Sequence, residues 1–181
     1  MKKNEKNKKM KNLLIILAII SGINTSCSQH KSVPDYLLNQ KFPDSVLNYQ
    51  IQNRKGEKIA IQSILEKHQG KKIVVDTWAS WCKDCLESLP NLQQFQKTTG
   101  NDVSYLFLSL DKTEERWLNA IDKLNIKGDH YFMPSGWKNP LTNYIGLDWI
   151  PRYFIIDEEG KIVLPKAVKV DEEVFRNILQ N

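Results

Sequence analysis

Between residues 72 and 179 the chain alternates strand, helix, strand and helix, then closes with a hairpin and a last helix. That order predicts an α/β fold, a mixed central sheet flanked by helices. Two segments carry the prediction. Ile73-Val74-Val75 is a short apolar, β-branched run bounded by lysines on one side and Cys82-x-x-Cys85 on the other, the pattern of a buried strand. Behind it, Leu86, Leu89, Leu92 and Phe95 recur near one face of a helix over residues 83–96. Pro90 inside that helix lacks an amide hydrogen and predicts a kink.

The remaining elements follow in order. Residues 46–52 alternate loosely, and Arg54-Lys55-Gly56-Glu57 turns the chain into Ile59-Ala60-Ile61, which predicts a β-hairpin. A short helix is expected over residues 64–68, stopped by Gly70. Residues 103–110 form a second central strand, parallel to the first by the handedness of the crossover. Thr113-Glu114-Glu115 opens a helix with Trp117, Leu118, Ile121 and Leu124 on one side. Residues 130–133 make a brief third strand, whereas residues 134–149, rich in turn formers and aromatics, receive no assignment. Residues 153–156 and 161–164 form a hairpin around Asp157-Glu158-Glu159-Gly160. Asp171-Glu172-Glu173 starts a last helix with Val174, Phe175, Ile178 and Leu179 facing inward.

The 181 residues make one domain with a core, and 41% apolar with 26% charged residues is an ordinary globular composition. The net charge of +5 does not indicate a nucleic-acid partner. Six lysines before residue 12, offset by Glu5, supply all of it, and the rest is neutral. This lysine-rich start precedes an apolar run, residues 13–20 with a weak extension to 23. As a helix it spans about 12–17 Å, short of a bilayer core of roughly 30 Å. Residues 1–27 are therefore expected to be a signal peptide. They end in Asn24-Thr25-Ser26-Cys27, which resembles the lipobox of bacterial lipoproteins, in which the cysteine is acylated. Asn24 departs from that motif, and the alternative is ordinary cleavage near Ser26 with Cys27 incidental. Polar residues 28–41 are expected to be a tether, leaving 42–181 as the folded domain.

With Cys27 lipidated, Cys82 and Cys85 are the remaining thiols. A bridge across Cys-x-x-Cys closes almost no loop and is a poor staple, so the pair points to chemistry. Cys82 stands where the strand hands over to the helix, and free amides at a helix N-terminus favour a thiolate. Cys85, one turn on, can attack the mixed disulfide that Cys82 forms. Cys82 is thus the candidate nucleophile and Cys85 the resolving thiol. A zinc site would need four ligands, and no second cysteine pair is present; His30, His68 and His130 lack ligand spacing, so no metal is expected.

Val75-Asp76-Thr77-Trp78-Ala79-Ser80-Trp81-Cys82-Lys83-Asp84-Cys85 resembles the active-site segment of thioredoxin-fold proteins, and most of all the TlpA/ResA-like branch of exported, membrane-tethered disulfide reductases. Pro90, Tyr144-Ile145-Gly146 and Ile150-Pro151-Arg152-Tyr153-Phe154-Ile155-Ile156-Asp157 continue the likeness, as does the hairpin at residues 50–61, which resembles this branch's N-terminal addition. The resemblance implies a thioredoxin-like fold over residues 40–181 and an enzyme, a thiol–disulfide oxidoreductase. It implies no bound cofactor beyond the Cys82–Cys85 couple.

Asp76 matches the buried aspartate of thioredoxins and is expected to take a proton from Cys85; the alternative is a strand-end residue that hydrogen-bonds locally. Pro151 is expected to be cis, with the Ile150 backbone, Trp81 and Arg152 available to substrate. Where thioredoxins have proline, Asp84 stands; Asp84 should disfavour the Cys82 thiolate and Lys83 favour it. The branch often has Glu three residues after the second cysteine, and here that place is Ser88.

The function so implied is reduction of disulfides in exported proteins, with apocytochromes c one substrate class. Electrons would come from a membrane thiol carrier, the protein being periplasmic and held to a membrane surface by lipid. A copper-handling chaperone and a peroxide-reducing relative on the same fold are alternatives. The former usually has Cys-x-x-x-Cys and the latter Pro-x-x-x-Thr-x-x-Cys, neither present here. A binding module with a redox switch is a third.

Overall fold

The computed structural model describes residues 37–99, 101–170 and 173–180. The signal peptide, Cys27, most of the tether and the Asp171-Glu172 helix start lie outside the described residues. In chain order the elements are α1 (Asp44–Leu47), β1 (Gln50–Asn53), β2 (Lys58–Ala60), α2 (Ile61–Lys67), β3 (Lys72–Trp78), α3 (Lys83–Thr99) and β4 (Val103–Ser109). Then come α4 (Glu114–Leu124), β5 (Asp129–Phe132), α5 (Pro140–Tyr144), β6 (Arg152–Ile156), β7 (Ile162–Ala167) and α6 (Glu173–Gln180). The strands form one seven-stranded sheet in the order β2-β1-β5-β4-β3-β6-β7.

The centre of the sheet is parallel and its flanks antiparallel. β3 pairs in parallel with β4, and β4 with β5, while β6, β7 and the β1–β2 hairpin add antiparallel strands. β3 is buried along all but its first residue because both its faces are covered, so Ile73-Val74-Val75 run apolar without alternation. Pro165, which has no amide hydrogen, sits in the edge strand β7, where no further ladder needs one.

Strand alternation sorts the side chains between two layers. Phe175 of α6 meets both Phe95 of α3 and Tyr153 of β6 edge-on, so α3 and α6 cover the face that carries Tyr153. Trp117 of α4 stacks on Phe132 at 5.7 Å. On the opposite face Phe42, Ile51, Ile61, Ile64 and Leu141 converge on Val75, Leu106 and Phe154. Asp76 lies opposite Tyr153 in the β3–β6 register and therefore points to the α3 side.

Several expectations are corrected. Val46 belongs to the short helix α1 and not to a strand. In α3 the buried positions are Cys85, Leu89, Leu92 and Phe95, while Leu86 is exposed, because spacings of four and three hold one face. Val174 is exposed on α6, whereas Phe175 and Leu179 are buried. The domain also starts before residue 42. Leu37 is fully buried, the Asn39 amide donates to the Ile162 carbonyl at 2.7 Å, and the Ile162 amide to the Gln40 carbonyl at 2.9 Å. Residues 37–41 are thus packed on β7 and are not tether.

The unassigned stretch contains α5. Pro140 opens it at the first helical turn, and the Asn139 side chain accepts from the Thr142 amide while the Thr142 hydroxyl accepts from the Asn139 amide, a capping box. Five residues are too few for an amphipathic pattern to show in the sequence, so only the cap chemistry marked it.

Candidate active site

β3 ends at Trp78, and Ala79-Ser80-Trp81 lead into α3. The Cys82 amide donates to the Ala79 carbonyl at 3.0 Å, closing a turn that aims the chain into the helix. Cys82 then serves as the N-cap of α3: its carbonyl accepts the first helical bond from the Leu86 amide at 3.1 Å. Its sulfur takes the place of a capping oxygen, accepting the Cys85 amide at 3.1 Å. A sulfur held under an otherwise unpartnered helix amide has its negative charge stabilised, both by that bond and by the helix end. Cys82 and Cys85 are joined as a disulfide with Cα atoms 5.3 Å apart, the oxidised state of the couple.

Across the cleft the Ile150–Pro151 peptide is cis. The Ile150 carbonyl oxygen lies 3.6 Å from the Cys82 sulfur. Both cysteines are nearly covered, Cys82 at 6% and Cys85 at 5% exposed, so access is confined to the rim. Trp81 stands on that rim, 48% exposed, and Trp149, beside Ile150, is 60% exposed. Trp149 was not singled out in the sequence, where it fell in the unassigned stretch.

Asp76 is buried, and one of its carboxylate oxygens has no hydrogen-bond partner. Burial alone, with no compensating charge, raises its pKa to about 8. Tyr153, on the same face, has its pKa raised by burial and next by the Asp76 charge. The Tyr153 hydroxyl is 3.0 Å from Ser88 Oγ, which donates to the Cys85 carbonyl at 2.9 Å. Ser88 and Tyr153 thus connect the Asp76 face with the turn that carries Cys85, a connection the sequence did not reveal.

The tuning candidates differ in surroundings. Lys83 and Asp84 are exposed, and Lys83 reaches Glu87 at 3.5 Å. Arg152 is a correction. Its side chain is fully buried, donating to the Ile145 carbonyl at 3.4 Å and to Asp148, so it is turned inward beneath the loop and not presented to substrate. His130 is likewise buried, stacked on Phe107 at 4.9 Å, with Nε2 3.0 Å from the Ile126 carbonyl. Among the described residues no three His, Cys, Asp or Glu side chains converge as metal ligands would. Nor is any described helix long and apolar enough to cross a membrane.

A redox-active Cys-x-x-Cys capping a helix at the C-terminal end of a central strand, opposite a cis-proline, defines a thiol–disulfide oxidoreductase. Residues 70–162 match the thioredoxin-like family, and the chain belongs to it. Relatives agree. The chain is 26% identical to the thioredoxin-like protein YneN of Bacillus subtilis, covering 83% of each chain. It is 26% identical to the thiol-disulfide oxidoreductase ResA of Bacillus cereus, over 74% of this chain and 73% of that one. These matches make the enzyme TlpA/ResA-like. Among solved structures, a thiol-disulfide oxidoreductase from Bacteroides fragilis superposes with a TM-score of 0.62 at 24% identity, over 76% of this chain and 98% of that one, which shows the shared fold.

Proposed function

We propose that this enzyme works outside the cytoplasm as a reductase of disulfides in exported proteins. The Cys82 thiolate attacks a client disulfide and expels one client thiolate, giving a mixed disulfide. Cys85 then attacks the Cys82 sulfur, losing its proton to Asp76, and the second client thiol leaves. Two electrons pass from the dithiol to the client, and the Cys82–Cys85 disulfide remains. The couple itself stores the electrons, so no bound cofactor is required.

The observation that carries this mechanism is the placement of Cys82 Sγ between the Cys85 amide at 3.1 Å and the Ile150 carbonyl at 3.6 Å. The amide favours the attacking thiolate. The Ile150 backbone, held opposite the cysteines just before β6 by the cis peptide to Pro151, suits an extended client segment, which can pair there as an added strand. Trp81 adds an apolar contact on the rim. Asp76, buried without a partner on one oxygen, supports the proton transfer: its raised pKa lets it exchange a proton near neutrality.

Residues 1–27 support export and Cys27 a lipid anchor on a membrane surface, with a membrane thiol carrier supplying electrons to regenerate the dithiol. The exposed Asp84 beside Cys82 favours the disulfide form of the couple and hence a reducing protein. The test is the equilibrium reduction potential of the Cys82–Cys85 pair against glutathione or dithiothreitol. A value near or below about −230 mV is expected, on the side of thioredoxin at about −270 mV. A value above about −180 mV, toward the oxidant DsbA at about −120 mV, would overturn the reducing role.

A further inference from the structure

β3 and β4 run parallel and end side by side, with Trp78 opposite Ser109. The chains leaving them stay joined: the Leu110 amide donates to the Trp78 carbonyl at 2.8 Å. The next residue, Asp111, is a carboxylate only 3% exposed. Burying that group is costly unless donors surround it. Here they do, and every one lies at the active-site end of the sheet. The Ser80 amide donates to both carboxylate oxygens, at 3.2 and 3.1 Å, and the Ser80 hydroxyl donates to Oδ1 at 2.6 Å. The Ser109 hydroxyl donates to Oδ2 at 2.8 Å, and the Asp111 amide returns a bond to Ser109 Oγ at 3.0 Å.

Ser80 is a central residue of the turn that the Cys82 amide closes on Ala79. We propose that Asp111 is a positioning residue for the nucleophile: gripping Ser80 by amide and hydroxyl, it holds the turn so that the Cys82 sulfur stays under the Cys85 amide. The inference rests on Cys82 being the attacking thiol. Its physical basis is that a hydrogen bond to sulfur loses strength steeply with misalignment, and reacting groups out of place by a fraction of an ångström lose rate. A loop of three residues between strand and helix has few internal contacts to set it. Asp111, reaching over from the adjacent strand, supplies the reference point that the loop lacks.

Within residues 76–87 the charged side chains are Asp76, Lys83, Asp84 and Glu87, and Asp111 reaches this segment at Ser80. Ser80→Ala leaves all of them in place and removes only the 2.6 Å bond. The full chain is reduced and treated with iodoacetamide at a series of pH values. Trypsin then separates the two thiols, since Lys72, Lys83 and Lys97 put Cys82 on residues 73–83 and Cys85 on 84–97. Ser80→Ala is expected to slow alkylation of Cys82 at pH 7 by roughly three- to tenfold and to move the midpoint of its pH profile upward.

Asp111→Asn also removes a negative charge, which alone would draw the midpoint down. An upward shift in that variant therefore reports position and not charge. Combining the two substitutions should cost less than the product of the single effects, because both act through Ser80. If Ser80→Ala remains folded with the parent's rate and midpoint, or Asp111→Asn moves the midpoint down, the positioning role is overturned. A parent Cys82 that is sluggish, with a midpoint near the free-thiol value of about 8.5, would instead refute the nucleophile assignment beneath it.

Discussion

The backbone amide of Cys85 points at the sulfur of Cys82 from 3.1 Å, so the residue proposed to resolve the mixed disulfide caps the proposed nucleophile through its main chain. The two cysteines consequently carry different chemistry despite nearly equal burial. Only Cys82 has its sulfur at the helix N-cap.

Cys82→Ser should abolish disulfide reduction. Cys85→Ser should leave the first attack intact and accumulate a mixed disulfide that is not resolved. Non-reducing electrophoresis with a disulfide-containing model protein distinguishes them. A stable adduct formed by Cys82→Ser through Cys85 would reverse the assignment.

Asp76 carries a pH dependence whose sign can be worked out. Its folded pKa is raised to about 8 by burial, far above the ordinary carboxylate value. Between about pH 4 and pH 8 the folded protein therefore holds a proton that the unfolded chain has released. Stability from this group is full below the unfolded value and is lost as pH rises through about 8. Asp76→Asn should flatten that slope and stabilise the protein by several kcal/mol at pH 8 and above. It should also remove the inflection near pH 8 from the resolution step. Urea unfolding at pH 5 and pH 8.5 checks the first part, and an unchanged slope would contradict it.

Asp148 is the charge partner of the buried Arg152 guanidinium and also lies 3.4 Å from Lys166. Asp148→Ala leaves the guanidinium buried, donating to the Ile145 carbonyl but without its carboxylate partner, and is expected to cost about 2–3 kcal/mol, less than a fully buried pair because Asp148 is itself partly exposed. Asp148→Ala/Arg152→Met should recover part of that loss, since no unpaired charge stays inside. Denaturant midpoints of the two variants settle the order; equal losses would mean the ion pair is not what holds this loop.

Gly128 has φ of +136°, and a Cβ there would stand 2.7 Å from the Tyr105 carbonyl oxygen. Both the backbone conformation and the space exclude a side chain. Gly128→Ala should therefore cost about 2 kcal/mol or more, with β4 and β5 forced apart, while Gly160→Ala meets no neighbour and pays only for its own left-handed φ. Thermal unfolding of the two variants measures the difference.

The central strands, α3, α4, both hairpins and the cysteine pair were legible in the sequence because each rests on local signals: β-branched runs, helical spacing, Gly and Pro punctuation, and a two-residue gap between thiols. Those signals say what a segment prefers, and β3 and α3 do what their segments prefer. They do not say which groups from distant segments meet. Arg152, adjacent to the proline, looked available to substrate and is turned inward by Asp148 and the Ile145 carbonyl. Leu37, in a polar stretch, is buried because β7 offers it a backbone ladder through Asn39 and Gln40.

Residue identity and spacing by themselves determined the chemistry this chain can perform: two thiols one helical turn apart, at the end of an apolar strand. Only the tertiary structure decided how that chemistry is held. The Ile150 carbonyl, 68 residues beyond Cys82, and Asp111, 31 beyond Ser80, reach the site through sheet pairing. No pattern local to the cysteines foretold Asp111, and Ile150 was reached only through the family resemblance. The physical reason is that local propensity acts within a turn or two of chain, whereas burial and hydrogen-bond satisfaction are settled between whichever segments the assembled sheet brings together.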